Sequence, residues 1–368
     1  MRHPFRLLLS SAMLTLLLVL GQAQGEGQPL AAPSPSPRTA APRVEMRVTP
    51  TPAPEATTPG EASVETPDVI QLITPKPRLV DRINHPNAYP DFSFAPDAEL
   101  LEIYFPQIMN ADSAILRCGG ETVIIDTPDH AQAHRLVALV KHLGITRVDS
   151  VYQSHPHPDH TQGLYALRQV ADIGEFCISF DELTNNYMME SMAVCQKYHI
   201  PVRQCGDGTP FTIGRATAEI WVKGAPDWDV NNRSAVTRIA YGERTALFTG
   251  DAEFKLQKRL AETIPPELMQ VEFLKYPHHG VDKMGEEFVS AVHPLFTVIT
   301  GNQYRNRNAL RQLRSLNIPF ATCQGKCVRV ATDGETWLME PLLLPHDNAQ
   351  SGLPTTPPDD MLEDSTFR

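Results

Sequence analysis

The chain has 368 residues, of which 42% are hydrophobic and 7% aromatic, and its formal net charge is −11. These values exclude a collagen, a coiled coil and a polytopic membrane protein, and the excess of acidic residues (43, against 32 basic) argues against a general nucleic-acid coat protein. Twelve of the 33 prolines fall within residues 26–78, so the remainder suits one large domain.

Residues 1–25 have the pattern of an export signal. Arg2 and Arg6 precede an apolar run from Leu7 to Leu20, and small residues follow it. That run is typical of a signal-peptide core and is shorter than the ~20 residues that span a bilayer as a helix. We expect a cleaved signal peptide or, as the alternative, an uncleaved anchor. In both cases the protein is exported, and it is extracellular or associated with the cell envelope or membrane.

Two further segments are predicted to be disordered. Residues 26–78 are rich in Pro, Ala, Ser and Thr, and they contain too few large apolar side chains to offset the entropy of ordering. Residues 346–368 are predicted to be a disordered tail, which leaves 79–345 as the folded domain. An exported chain permits disulfides among its six cysteines, with Cys323–Cys327 as the best candidate pair and Cys195–Cys205 as the next.

The first half of the domain alternates short apolar runs with stretches of helical periodicity. Strands are predicted at Leu100–Tyr104, Ser113–Arg117, Thr122–Ile125, Val148–Gln153 and Cys177–Phe180. Helices are predicted at Ala131–Leu143, which Gly144 stops, and at Gln162–Val170 and Glu182–Tyr198.

The second half continues the alternation. Strands are predicted at Phe211–Val222, Ala235–Tyr241, Thr245–Thr249, Val271–Tyr276, Phe296–Thr300, Phe320–Ala321 and Val328–Ala331. Helices are predicted at Glu253–Glu262, Glu286–Val292 and Ala309–Ser315. Clusters of strands interleaved with helices predict a layered α/β sandwich.

The strongest chemical signal is Ser-His155-Pro-His157-Pro-Asp159-His160, directly after a predicted strand. In an extended loop His155 and His157 point the same way and reach one cation, while Asp159 and His160 serve a second one nearby. Histidine nitrogens mixed with carboxylate oxygens favour zinc, with manganese or iron as alternatives.

Three further groups of polar residues follow predicted strands. Asp251, in Thr-Gly-Asp251-Ala-Glu, is interpreted as a carboxylate that bridges two cations. In His278-His279-Gly280 only one histidine is expected to be a ligand, because adjacent side chains diverge in an extended chain. Asp126 completes the set, although a turn-forming aspartate is an equally good interpretation of that residue alone.

Together these residues resemble the metallo-β-lactamase superfamily, and more narrowly the soluble hydrolase domain of ComEC-type competence (DNA-uptake) proteins and related secreted phosphodiesterases. The resemblance covers about residues 100–340. It implies a four-layer αβ/βα sandwich and two divalent metal ions, with zinc favoured and manganese as the alternative.

The resemblance also assigns roles to individual residues. It implies a first cation on His155, His157 and one of His278 and His279, a second on Asp159 and His160, Asp251 between them, and Asp126 behind the histidine loop. It implies Asp159, Asp251 and Lys275 as catalytic residues. Substrate binding is implied for four residues: Asn232, Ser234, Lys275 and Asn306.

The sequence departs from the family pattern at four places. The family's Gly-Gln-Gly-Asp stretch is Asn110-Ala-Asp112 here, the glycine after Asp-Thr is Pro128, and Val281 replaces the usual serine after His-His-Gly. Asn306 replaces a histidine that is expected to complete the second cation's ligands, which predicts a weak second site or an enzyme with one metal. Arg305 and Arg307 beside it are either compensating charges or a solvated loop.

The expected function is that of an exported metal-dependent hydrolase that uses a metal-bound hydroxide on a phosphodiester or similar anionic substrate, either small or polymeric. Two alternatives remain open: a catalytically impaired envelope protein that uses this fold to bind, and a DNase linked to DNA uptake. The acidic balance and the lack of a basic cluster in the sequence argue against a stable nucleic-acid partner.

Overall fold

A computed structural model describes residues 76–181, 183, 185–344 and 352–363. The predicted signal or anchor, residues 26–75 of the predicted linker, and residues 346–351 and 364–368 of the predicted tail lie outside the described residues. Within the described part of the chain no helix combines the length and the apolar character that crossing a membrane requires.

The strands and helices of the described residues have the following bounds. The strands are β1 (Leu79–Asp81), β2 (Leu101–Phe105), β3 (Ala114–Cys118), β4 (Glu121–Ile125), β5 (Arg147–Tyr152), β6 (Asp172–Ile178), β7 (Val202–Gln204), β8 (Thr209–Ile213), β9 (Ala216–Trp221), β10 (Val236–Tyr241), β11 (Arg244–Phe248), β12 (Phe273–Lys275), β13 (Phe296–Ile299), β14 (Phe320–Thr322), β15 (Cys327–Thr332) and β16 (Trp337–Leu342). The helices are α1 (His130–His142), α2 (Pro158–Thr161), α3 (Leu164–Arg168), α4 (Asn186–Tyr198), α5 (Phe254–Thr263), α6 (Pro266–Met269), α7 (Glu286–Val292), α8 (Arg307–Ser315) and α9 (Asp359–Glu363).

These strands form two mixed sheets. The first runs in the order β1-β16-β15-β2-β3-β4-β5-β6-β7, and the second in the order β14-β13-β12-β11-β10-β9-β8. In the first sheet β4, β5, β6 and β7 are parallel, and in the second β11, β12, β13 and β14 are parallel. Parallel neighbours place the carboxyl ends of their strands along one edge of each sheet.

Alternating side chains build three cores. On β4, Val123 and Ile125 point into the core between the sheets, whereas Ile124 points to the core under α1, α3 and α4. On β11, Phe248 points inward and Leu247 contacts the core formed with α5, α7 and α8. Helices therefore cover both outer faces, and the predicted four-layer αβ/βα sandwich is confirmed.

Local signals explain most helix boundaries. The side chain of Asp129 accepts a hydrogen bond from the backbone N–H of Gln132 and starts α1. Gly144, at φ +65°, ends it. Asn185 caps α4 in the same way through Met188 N–H (2.8 Å), so the helix starts at residue 186 rather than at the predicted Glu182.

Two predicted elements are divided in the structure. The predicted helix Gln162–Val170 becomes α2 and α3, which are separated at Gln162 and Gly163. The predicted strand Phe211–Val222 becomes the hairpin β8–β9, which turns at Gly214 (φ +53°). A Cβ atom at Gly214 would lie 2.7 Å from the carbonyl oxygen of Cys118, so the turn also needs glycine for space.

Part of the predicted disordered tail is ordered. Leu353 packs against Ala133, Val137 and Ala166, and Met361 on α9 is buried in the core beside α4. His130 Nδ1 lies 2.9 Å from the carbonyl oxygen of Thr355. Two apolar anchors and a backbone contact thus attach this segment to the outer helix layer, which the polar composition of the tail does not indicate.

The disulfide prediction is wrong for the structure, in which all six cysteines are unpaired and buried. Cys323 and Cys205 lie in the core between the sheets, whereas Cys327 and Cys195 lie in the core under the first helix layer. The sulfur atoms of each predicted pair therefore lie in different layers.

Glu272 joins the two sheets at the end of β12 opposite to His278 and His279. It accepts hydrogen bonds from Arg78 and Arg244, and from Trp337 Nε1 on β16 at 3.0 Å. Arg244 and Glu272 are each at most 9% exposed, so the pair is buried and its charges depend on each other.

Replacement of Glu272 by glutamine keeps the volume and leaves the buried Arg244 guanidinium with only the exposed Glu243 carboxylate, 3.6 Å away, as a counter-ion. We expect Glu272→Gln to lower the free energy of unfolding by about 3–5 kcal/mol, because breaking one partner of a buried pair costs that much. Urea unfolding followed by circular dichroism measures it, with Glu335→Gln, in an exposed pair with Lys76, as the control that leaves the midpoint unchanged. Equal midpoints for both variants would contradict this role.

Candidate metal centre

The candidate site lies where the strands of both sheets end. Asp126 follows β4, the histidine loop follows β5, Asp251 follows β11, and the two histidines of Pro277–Gly280 follow β12. Because β4–β5 and β11–β12 are parallel pairs, these segments meet at one edge of the sandwich. The strand order therefore brings together residues that are up to 153 positions apart in the sequence (126 to 279).

One group of four ligand atoms has nearly uniform spacing. His279 Nε2 lies 3.3 Å from each of three atoms: His160 Nε2, Asp159 Oδ2 and Asp251 Oδ2. His160 Nε2 lies 3.2 Å from Asp251 Oδ1. Two atoms that each lie ~2.0–2.1 Å from a tetrahedral zinc ion are about 3.3 Å apart, so each of these contacts has the spacing of a pair of zinc ligands. His160, Asp251 and His279 also form a close group with Asp112.

A second group shares Asp251. His155 Nε2 lies 3.0 Å from His157 Nδ1 and 3.9 Å from Asp251 Oδ2. Three protein ligands at these distances fit the open coordination that is typical of a catalytic metal. The site that lacks a ligand is therefore this first group, whereas the sequence predicted a weak second group because of Asn306.

The charges of the site also require cations. Four carboxylates (Asp112, Asp126, Asp159 and Asp251) surround it, and among the described residues they are opposed by the ammonium of Lys275 and by His160 and His279, whose pKa values they raise. Asp251 is 2% exposed, and its Oδ1 has no hydrogen-bond partner within the described residues. Buried carboxylates without full compensation are unstable. The residues present therefore fit two divalent cations.

Burial and the neighbouring charges also shift the pKa values of the histidines. Burial would lower the pKa of His160 and of His279, but the Asp251 carboxylate, with Asp126 or Asp112, raises both well above the usual range. His155 lies deeper among imidazoles, and burial together with the neighbouring His160 lowers its pKa well below the usual range. Burial would raise the pKa of Asp159, but the His279 hydrogen bond and the His160 charge lower it to about 2.

Carboxylates hold the ring orientation of two of the histidines. Asp126 Oδ2 lies 2.8 Å from His160 Nδ1, and Asp126 also accepts the backbone N–H and the hydroxyl of Ser154 at 2.7 Å each. Asp126 thus lies behind the histidine loop, at the place that the sequence indicated. Such contacts fix which ring nitrogen faces the metal.

The second orienting carboxylate, Asp112, was missed by the sequence analysis. Asp112 Oδ1 lies 3.1 Å from His279 Nδ1, and it also accepts a hydrogen bond from Thr300. Lys275 pairs with its other oxygen. Burial would raise the pKa of Asp112, but the Lys275 ammonium and His279 lower it far below the usual range. The signal was present as the Asp of Asn110-Ala-Asp112, but only the fold shows its partners.

Lys275, predicted to be a catalytic and substrate-binding residue, is 3% exposed, and its ammonium is paired with Asp112 behind His279. Its position assigns it a structural contact, and its predicted roles stay predictions.

The other three residues predicted to bind substrate are also buried. Asn232 donates to Asp229 and Glu253 and accepts from the N–H of Leu256. Ser234 Oγ accepts the N–H of Asp251 at 3.2 Å. Both residues hold the loop that carries Asp251.

Asn306 is fully buried against Gly280 and Gly301, and its amide has no hydrogen-bond partner within the described residues. The second group has a histidine nitrogen from His279, 3.3 Å from that of His160, and the weakness predicted from Asn306 stays a prediction.

These features agree with the sequence comparison. Residues 109–323 match the family model described as the metallo-beta-lactamase superfamily. The chain belongs to the metallo-β-lactamase superfamily. No curated protein sequence matches it significantly.

Three solved structures illustrate the proteins to which this chain is similar. It is similar to CmlA, a diiron beta-hydroxylase from Streptomyces venezuelae, at 13% identity and a TM-score of 0.43 over 65% of this chain and 55% of CmlA. It is similar to the metallo-beta-lactamase fold protein YhfI from Bacillus subtilis at 12% identity and a TM-score of 0.42, over 61% of this chain and 96% of YhfI.

A metallo-beta-lactamase from Staphylococcus aureus is similar at 14% identity and a TM-score of 0.32, over 48% of this chain and 53% of that one. The chain thus spans little more than half the length of CmlA and of the Staphylococcus aureus protein.

Replacement of Asp126 by asparagine tests the orienting role. Asp126 has φ +60°, a conformation that asparagine tolerates, so Asp126→Asn keeps the backbone and removes the charge behind His160. We expect one zinc ion to bind about 10–100-fold more weakly, measured by titration against a chromophoric chelator. Asp172→Asn, at an exposed side chain, is the control. Unchanged affinity in Asp126→Asn would show that His160 needs no orientation.

Proposed function

We propose that this protein is a metal-dependent hydrolase of phosphodiesters or similar anionic substrates that acts outside the cytosol. The observation that carries the proposal is the group formed by Asp159, His160, Asp251 and His279, in which His279 Nε2 lies 3.3 Å from a ligand atom of each of the other three, beside a second group that shares Asp251. Shared-carboxylate pairs of metal ions are typical of enzymes that displace a group at phosphorus.

The burial of the site defines how a substrate approaches. His155, His160, Asp251 and His279 are at most 2% exposed and form the floor. The side chains of Asp159 (29% exposed) and His278 (21% exposed) form the open side. A substrate therefore reaches the cations across the edge of the sandwich between these two residues.

Divalent cations, when held by the residues of these two groups, would supply Lewis-acid polarisation of a phosphoryl or carbonyl oxygen and a water of lowered pKa, about 7. The protein's own contribution is geometry. Asp251 fixes the separation of the two groups, and Asp126 and Asp112 hold the imidazoles of His160 and His279. The ligands then need no rearrangement when charge develops on the substrate.

Exposed positive charge favours an anionic substrate. Because Lys275 is buried, that charge comes from Arg305 and Arg307, which are exposed on the segment that follows Thr300, a partner of Asp112. Arg307 stacks on the exposed ring of Tyr304, at 4.8 Å from its centroid. The overall charge of −11 disfavours a long polyanion, so a small or locally bound anion is favoured over DNA.

Export, with release or retention at the cell envelope, is part of the same proposal. The basic start and apolar run of residues 2–20 support it, as does the proline-rich stretch of 26–78 that would separate the domain from a membrane.

Hydrolysis of bis(p-nitrophenyl) phosphate by the purified chain with added zinc or manganese tests the proposal. Asp251→Asn removes the shared charge, and we expect kcat to fall at least about 100-fold, the scale on which removal of one key electrostatic group acts. The control Asp172→Asn retains full turnover. A wild-type chain that binds metals but hydrolyses no phosphodiester would contradict the proposal and favour a binding module.

A further inference from the structure

The two adjacent histidines at 278 and 279 do not behave as the sequence predicted. An extended chain sends neighbouring side chains to opposite sides, so one ligand was expected. Here both residues adopt left-handed backbone, at φ +49° and +51°. This conformation is rare for residues other than glycine, and it clusters at functional sites.

The turn directs both rings to one carboxylate. His279 Nε2 lies 3.3 Å from Asp251 Oδ2, and His278 Nε2 lies 3.6 Å from the same oxygen. The two ring centroids are 6.0 Å apart, so the rings approach that oxygen from different directions. His279 is on the side of His160 and Asp159, and His278 approaches the Asp251 oxygen that also lies 3.9 Å from His155 Nε2.

His278 also has a carboxylate behind it. His279 Nδ1 lies 3.1 Å from Asp112, and His278 Nδ1, which has no hydrogen-bond partner within the described residues, lies 3.5 Å from Glu253 Oε1 and 3.9 Å from Asp282 Oδ2. Glu253 is itself held by the side chains of Asn231 (2.9 Å) and Asn232 (3.1 Å). Metal-binding histidines characteristically have an oxygen acceptor behind the ring, with the other nitrogen free for the metal.

The first group has one open coordination position that a further side chain can fill, and the residues nearer to it in sequence do not supply that side chain. Its three ligand atoms come from His155, His157 and Asp251, whereas tetrahedral zinc takes four ligands. Asn232 and Ser234 are buried and hydrogen-bonded within the loop that carries Asp251.

We propose that the two histidines serve different cations: His279 completes the second group, and His278, oriented by Glu253, is the fourth ligand of the first. This inference rests on the proposed dinuclear hydrolase. It assigns three imidazoles and the shared Asp251 to the first cation, beside solvent, and two carboxylates and two imidazoles to the buried second cation. The first cation is therefore the weaker and more exchangeable one.

Zinc titration of the full chain, after bound metal is removed with a chelator, tests whether the two histidines serve different cations. The test depends on metal binding alone. Bound zinc is counted by plasma mass spectrometry after gel filtration, and circular dichroism verifies folding. His278→Ala is expected to keep the tight zinc ion and to bind the weak one at least about tenfold more weakly. His279→Ala is expected to weaken the tight ion instead.

Double variants show which cation each histidine serves. If His278 and His155 share a cation, His155→Ala/His278→Ala keeps one zinc ion, as each single variant does. If His278 and His279 serve different cations, His278→Ala/His279→Ala keeps none at the same free zinc concentration. Glu253→Gln is expected to weaken binding of the first cation about tenfold, whereas Glu262→Gln, an exposed control near the other end of α5, has no effect.

Three results would overturn the proposal. In the first, His278→Ala leaves both affinities unchanged, so that His278 only lines the opening. In the second, it weakens the tight ion, so that both histidines serve the same cation. In the third, the wild-type chain binds fewer than two zinc ions, and the dinuclear site itself is wrong. If the chain binds two zinc ions but hydrolyses no phosphodiester, the proposed reaction is refuted. The assignment of the two histidines is then decided by the zinc titrations alone.

Discussion

The constraint on which this structure depends is the concentration of buried negative charge at one edge of the sandwich. Asp112, Asp126, Asp159 and Asp251 converge there, and Lys275 compensates one of them. A folded chain tolerates buried carboxylates only when they are paired, hydrogen-bonded or bound to cations. The imidazoles between them provide the ligand atoms, and divalent cations provide the charge.

The fold is what makes this concentration possible. Two sheets with parallel neighbours present their strand ends at the same edge, so each ligand follows directly on a rigid strand. The surrounding contacts serve the ligands: Ser234 holds the loop of Asp251, and Lys275 and Thr300 hold Asp112 behind His279. Residues that resemble substrate contacts in the sequence are therefore part of the frame.

Sequence reasoning succeeded where the signal is local. The alternation that places Val123 and Ile125 on one face and Ile124 on the other is visible in the chain, and so is the spacing of His155, His157, Asp159 and His160. The superfamily and the four-layer fold follow from such patterns.

The predictions that failed have a common physical cause. Each depends on a contact between residues far apart in the sequence, or on a backbone conformation that residue type does not indicate. The pairing of Lys275 with Asp112 was missed because the two residues are 163 positions apart in the sequence. The histidine pair was assigned one ligand because left-handed backbone at two consecutive non-glycine residues is not predictable from residue type. Two short apolar anchors, Leu353 and Met361, order a segment whose polar composition predicts disorder.

Anomalous diffraction from crystals of the full chain grown with zinc is the most direct test of the central claim, that this acidic cluster holds two cations. The account predicts two anomalous peaks on either side of Asp251, about 3.5–4 Å apart as in dinuclear hydrolases. One peak is expected beside His160 and His279, and the other beside His155 and His157. A single peak, or peaks that do not contact Asp251, would contradict it.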